Sequence, residues 1–155
     1  MRRGCNFGSS VGGWFLAGCA VLGLGLGSFT RGEQPVEAKA IKVVVHINFD
    51  DATRQGDALN NVQNVLKAAE AEGLKAEVEI VCHSAGITLV EKSKRTHARL
   101  VESLQKKGVE FKACRNTMKQ RSLREDDLLE RVTTVTSGAF EVIRRQHDGF
   151  AYFKP

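Results

Sequence analysis

Ile41-Lys-Val-Val-Val-His-Ile-Asn48 decides the fold. Five of these eight residues are β-branched, and the run is nearly continuous rather than alternating apolar with polar. That pattern marks a strand covered on both faces, as strands are in parallel sheets flanked by helices. Working outward, Leu59, Val62, Val65, Leu66 and Ala69 recur at helical spacing across residues 57–72, and Gly73 provides a stop. Ala76-Glu-Val-Glu-Ile-Val-Cys82 is a second strand, and Ile87 to Val90 a short helical turn.

The alternation continues to the C-terminus. Thr96 is placed to cap a helix reaching Lys107, with Leu100, Val101 and Leu104 on one face. Val109-Glu-Phe-Lys-Ala-Cys114 is the third strand. Asn116 or Thr117 caps the next helix, and Asp126-Asp127 opens another short one. Val132-Thr-Thr-Val-Thr136 is the fourth strand, Ser137 caps a helix through Gln146, and Phe150-Ala-Tyr-Phe153 is the fifth strand. Each connection is long enough for a crossover, and none has hairpin length. The expected fold is α/β: three layers, α/β/α, around a mainly parallel five-stranded sheet.

Residues 1–40 do not belong to this pattern. Nine of the fifteen glycines fall within residues 1–32, and no charged residue occurs from Gly4 to Thr30. Arg2 and Arg3 precede an apolar stretch running from Val11 to Gly27, the arrangement of an export signal. Residues 1–30 are therefore expected to be a signal peptide or membrane anchor, 31–40 a linker, and 41–155 the folded domain. Leu16-Ala-Gly-Cys19 is similar to a bacterial lipobox and makes Cys19 a candidate lipidation site, while Ala38-Lys-Ala40 has the form of a cleavage site. An uncleaved segment would be barely long enough to span a bilayer. Each outcome puts the domain outside the cytoplasm, in the periplasm or its equivalent.

The chain carries a formal charge of +5. Basic clusters at Lys92, Lys94, Arg95 and Arg99 and at Lys119, Arg121 and Arg124 are interrupted by acidic residues and nearly free of aromatics. They read as solvated surface, and no nucleic-acid partner is expected. No Walker loop, dinucleotide fingerprint or nucleophile elbow occurs, so no cofactor is expected.

Ligands of open parallel sheets bind beyond the carboxyl ends of the strands. Here those ends carry His46 and Asn48, then Cys82-His83-Ser84, then Cys114-Arg115-Asn116-Thr117, then Ser137-Gly138. Cys114 stands out, because it precedes a helix start whose unpaired N–H groups favour an anion, with Lys112 and Arg115 beside it. Such surroundings favour the thiolate, which is the nucleophile. His46, Asn48, His83, Arg115, Asn116, Thr117, Ser137 and Gly138 are candidate anion or substrate contacts. Cys82 ends an apolar strand and reads first as filler. In an oxidising compartment a Cys82–Cys114 disulfide is the alternative. Cys82, His83, Cys114 and His46 include metal-ligating types but lack the close spacing of a zinc site, and no metal is expected. His97 and His147 fall on helices and read as surface residues.

Several stretches resemble the DsrE/DsrF-like family: Val45-His-Ile-Asn48, Ala58-Leu-Asn-Asn-Val-Gln-Asn64, Gly108-Val-Glu-Phe-Lys-Ala-Cys-Arg-Asn-Thr-Met118, Ser137-Gly-Ala-Phe-Glu141 and Gly149-Phe-Ala-Tyr-Phe-Lys-Pro155. The resemblance spans residues 41–155 and implies the five-stranded parallel fold reached above. It also implies a homo-oligomer, a trimer or a hexamer of stacked trimers. It further implies sulfur oxidation or relay with a persulfide carried on the cysteine at position 114, exchanged with a thiol-bearing donor and acceptor. Relay members of the family work inside the cell, which the export signal sets apart from this chain. Two function classes follow: sulfur handling on Cys114, or a non-enzymatic oligomeric binding module in which Cys114 is packed or disulfide-bonded.

Overall fold

The computed structural model describes residues 40–155. The expected signal segment, the linker up to residue 39 and Cys19 lie outside the described residues. Eleven elements follow one another, five strands and four α-helices among them. The strands are β1 (Ala40–Ile47), β2 (Lys75–Cys82), β3 (Glu110–Cys114), β4 (Val132–Val135) and β5 (Ala151–Phe153). The helices are α1 (Ala52–Ala71), α2 (Ala98–Lys106), α3 (Arg115–Gln120) and α4 (Gly138–His147), with 3-10 turns at Ser84–Val90 and Glu125–Asp127.

All neighbouring strands pair in parallel, in the order β4-β3-β2-β1-β5. The first three crossovers step away from β1 in one direction, and α4 carries the chain back past β1 to β5. A right-handed crossover that reverses direction must pass the opposite face of the sheet. Accordingly, Leu59 and Val62 of α1, Val101 and Leu104 of α2 and Met118 of α3 pack on one face, against Val45, Ile47, Val78, Ile80, Cys82, Phe111 and Ala113. The other face holds a much smaller core of Val44, Val81, Val142 and Phe150 beneath α4. Among the described residues no helix is long and apolar enough to cross a membrane.

The starts of α1 and α2 differ from the expectation. α1 begins at Ala52, ahead of Asp57, because the Asp51 carboxylate accepts the Arg54 N–H at 2.7 Å and so caps it. Gly56 and the polar Arg54 and Gln55 hid that first turn in the sequence; Gln55 is in fact buried. α2 begins at Ala98 with His97, not Thr96, in the cap position. His97 is also no loose surface group: its Nε2 contacts the Ala52 carbonyl at 2.7 Å, and its ring lies against Gly56. His147 is exposed as expected.

Candidate functional site

Alternation along the strands sorts the candidate residues. Val45, Ile47, Cys82, Phe111 and Ala113 face the large core. The residues between or beyond them, His46, His83, Lys112 and Cys114, therefore face the α4 side. Tyr152 joins them, since it pairs with Val44. His46, His83, Cys114 and Tyr152 thus gather on one face at the carboxyl edge of the sheet.

Cys114 occupies the N-cap position of α3, which starts directly at Arg115. Asn116 and Thr117 are therefore first-turn residues, not caps. Burial opposes ionisation of the thiol, but the backbone N–H groups of Gly138, Thr117 and Asn116 and the Thr117 hydroxyl outweigh it, and the pKa lies below its ordinary value. Gly138, the first residue of α4, is delivered by the Ser137 cap, whose Oγ accepts the Phe140 N–H at 3.4 Å. A Cβ on Gly138 would lie 2.8 Å from the Cβ of His83 and 3.2 Å from that of Cys114. Only glycine lets the backbone approach both residues.

Thr117 ties this cradle to the second strand end. Its Oγ1 accepts the Ser84 N–H at 2.9 Å, which leaves the hydroxyl proton free for the Cys114 sulfur. Ser84 makes that reach with φ of +50°, a left-handed backbone unusual for serine. Its Oγ contacts His83 Nδ1 at 2.9 Å. His83 Nε2 meets His46 Nε2 at 2.5 Å, the two rings edge to edge with centroids 4.6 Å apart and planes inclined by 22°, and His46 Nδ1 meets the Tyr152 hydroxyl at 2.8 Å. Burial, then the Lys154 cation, then His83 pull the His46 pKa down to about 4; burial and Lys154 lower that of His83. Both rings are therefore neutral at neutral pH. Lys154 Nζ donates to the Asn48 Oδ1 at 2.6 Å.

Two expectations need correction. Cys82 pairs in register with Ala113, so Cys114, one residue further, points through the opposite face. The two thiols are free and do not form the considered disulfide. The Arg115 guanidinium is held by the Thr134 hydroxyl at 2.8 Å and Glu125 at 3.6 Å, leading it away from the thiol. Lys112 likewise pairs with Glu110 at 2.7 Å. The charged neighbours in sequence are thus not what cradles Cys114; backbone amides are. Tyr152 and Lys154 were not singled out as site residues from the sequence. The signal was there, because the carboxyl-edge rule applies to the fifth strand as well as to the first four.

A parallel α/β domain with one cradled thiol and a chain of neutral imidazoles at its carboxyl edge is the class defined by this fold and site. The chain belongs to the DsrE/DsrF-like family, whose model matches residues 42–155. Among solved structures it is similar to MTH1491 of Methanobacterium thermoautotrophicum, described as a protein of unknown function: 35% identity over 74% of this chain and 99% of that one, with a TM-score of 0.69. No curated protein matches.

Proposed function

We propose that the domain handles sulfane sulfur, accepting it on Cys114 as a persulfide and passing it to another thiol. The carrying observation is the cradle: amides from two separate segments and one hydroxyl converge on the sulfur and favour its anion. The same donors suit a persulfide anion, whose charge must be held while it waits for an acceptor. Membership of a family that suggests sulfur relay supports the reading. Arg2, Arg3 and the apolar run after them support export, so donor and acceptor would be extracytoplasmic thiols or persulfides. Assembly into a homo-oligomer, a trimer or hexamer, is part of the proposal; Phe140 and Ile143, one turn apart on α4 and 64% and 62% exposed, are the apolar surface offered to a second copy.

Intact-mass analysis after exposure to polysulfide tests the reading. The native protein should gain one sulfur atom more than Cys114→Ser does, reversibly by reductant. An unmodified native protein, or equal modification of the variant, overturns it and favours a binding module.

A further inference from the structure

The contacts from Tyr152 to Ser84 form an unbroken chain of groups that both give and take protons. Tyr152 Oη, His46 Nδ1, His46 Nε2, His83 Nε2, His83 Nδ1 and Ser84 Oγ are linked by distances of 2.8, 2.5 and 2.9 Å across the three gaps. The Nε2 atoms are too close for both to carry hydrogen. One must be bare, and that fixes the whole chain in one of two directions. In the first, Tyr152 donates to His46, His46 to His83, and His83 to Ser84, leaving the Ser84 hydroxyl proton free. In the second, every bond is reversed. Passing from the first to the second moves one proton from Tyr152 to Ser84 with no charge left on either imidazole.

The two ends are suitably placed. Tyr152 is 44% exposed and can exchange with solvent, while Ser84 is exposed beside Thr117, which touches the sulfur. The left-handed backbone of Ser84 lets one residue serve both neighbours, its N–H bound to Thr117 and its Oγ to His83. Strain of this kind collects at functional sites. The charged and titratable groups facing the chain are Lys154 from the C-terminal segment, Tyr152 of β5 and Cys114 of β3. Lys154 disfavours an imidazolium and so favours neutral relay over storage of charge.

We propose that Tyr152, His46, His83 and Ser84 form a proton relay that protonates the thiol released when sulfur is transferred to Cys114. The inference rests on the sulfur-handling reading above. The Cys114 thiolate attacks the outer sulfur of a donor persulfide, R–S–S–H. The Sγ–S bond forms, the donor S–S bond breaks, and R–S⁻ departs with that bond's electron pair. The outer sulfur loses its proton to solvent, leaving Cys114 as a persulfide anion. Ser84 gives its hydroxyl proton to R–S⁻, His83 refills Ser84, His46 refills His83, Tyr152 refills His46, and solvent refills Tyr152. The sum is R–S–S–H plus thiolate giving R–S–H plus persulfide anion, with no external oxidant or reductant. Ser84 is the catalytic residue of this set; the two histidines and Tyr152 act through it.

Single-turnover loading of Cys114 from a small alkyl persulfide, followed by mass in H2O and D2O, provides the test. Tyr152→Phe breaks the outer link, and Ser84→Gly removes the inner hydroxyl while accepting the left-handed backbone. Both should slow loading by at least about 10-fold. Both should also shrink the solvent isotope effect of the native protein, while the pH profile of Cys114 alkylation stays where it was. Loading at the native rate with the native isotope effect in both variants overturns the relay and leaves the sulfur-handling reading standing. Failure of the native protein to load at all overturns that reading, and the relay with it.

Discussion

Cys82 and Cys114 end adjacent strands yet point through opposite faces of the sheet, because Cys82 is in register with Ala113 rather than with Cys114. One thiol is core and the other belongs to the candidate site. Cys82 is fully buried in the large apolar cluster, and burial pushes its pKa up to about 12. Cys114 is held by amides that favour its anion.

Alkylation should separate the two. Of these two thiols, brief iodoacetamide treatment of native protein is expected to label Cys114 alone, and Cys82 only after unfolding, read by peptide mass mapping. Labelling of Cys114 should persist to lower pH than that of an ordinary free thiol. Native labelling of Cys82, or a disulfide between the two in non-reduced peptides, would contradict the assignment.

Thr117 joins the sulfur to the Ser84 amide. Thr117→Val keeps the shape but removes both the hydroxyl given to Cys114 and the acceptor of the Ser84 N–H. The Cys114 pKa should rise, shifting the alkylation profile to higher pH. Stability in urea should fall by about 1–3 kcal/mol for the orphaned donor, and Thr117→Ser should restore most of both.

Gly138 is where α4 closes on the site. Gly138→Ala would set a methyl group against the Cβ atoms of His83 and Cys114, at 2.8 and 3.2 Å. The start of α4 must then retreat, withdrawing its N–H from the sulfur. A stability loss of about 1–3 kcal/mol is expected from the overpacking, together with a raised thiol pKa. An unchanged alkylation profile would show that this amide does not hold the thiolate.

The imidazole pair should leave a mark on acid stability. The folded-state pKa of His46 lies at about 4, against an ordinary 6.5, so the folded protein binds fewer protons than the unfolded chain between those values. Stability linked to His46 is therefore complete above pH 6.5, declines as pH falls toward 4, and changes no further below. With allowance for solvent screening the loss is about 1–2 kcal/mol. Urea midpoints measured across that window should fall less steeply for His46→Asn than for the native protein.

Under α4, Glu79 is buried and bound by Arg145. Burial drives the Glu79 pKa up and Arg145 draws it back, with a net rise. Arg145→Ala leaves the buried carboxylate with only the longer Lys112 contact at 4.0 Å and should cost about 3 kcal/mol at neutral pH. Because a protonated Glu79 needs no cation, that cost should shrink as pH falls, and a cost independent of pH would refute the pairing.

Local pattern was enough for the architecture. The β-branched run from Ile41, the helical spacing of Leu59 to Ala69 and the crossover lengths define a parallel α/β sheet, because periodicity reports which residues are covered. The carboxyl-edge rule then found Cys114, His46, His83 and Gly138 without any contact being known. Helix starts were less legible: a cap such as Asp51 is chosen by backbone geometry among several polar candidates, and α3 begins at Arg115 with no side-chain cap at all.

What the sequence by itself determined, then, was the layer order, the edge that carries the candidate site and the thiol at its centre. Only the tertiary structure decided what surrounds that thiol. Strand order and register are non-local, and a shift of one residue reverses the face of every side chain. They put Cys82 in the core and Cys114 on the α4 side, and they brought Tyr152 on β5 to His46 of β1, which in turn meets His83 just past β2. The groups that hold the sulfur are mostly backbone amides. Every residue but proline carries one, so their presence at Cys114 is written in the path of the chain and not in the side chains beside it.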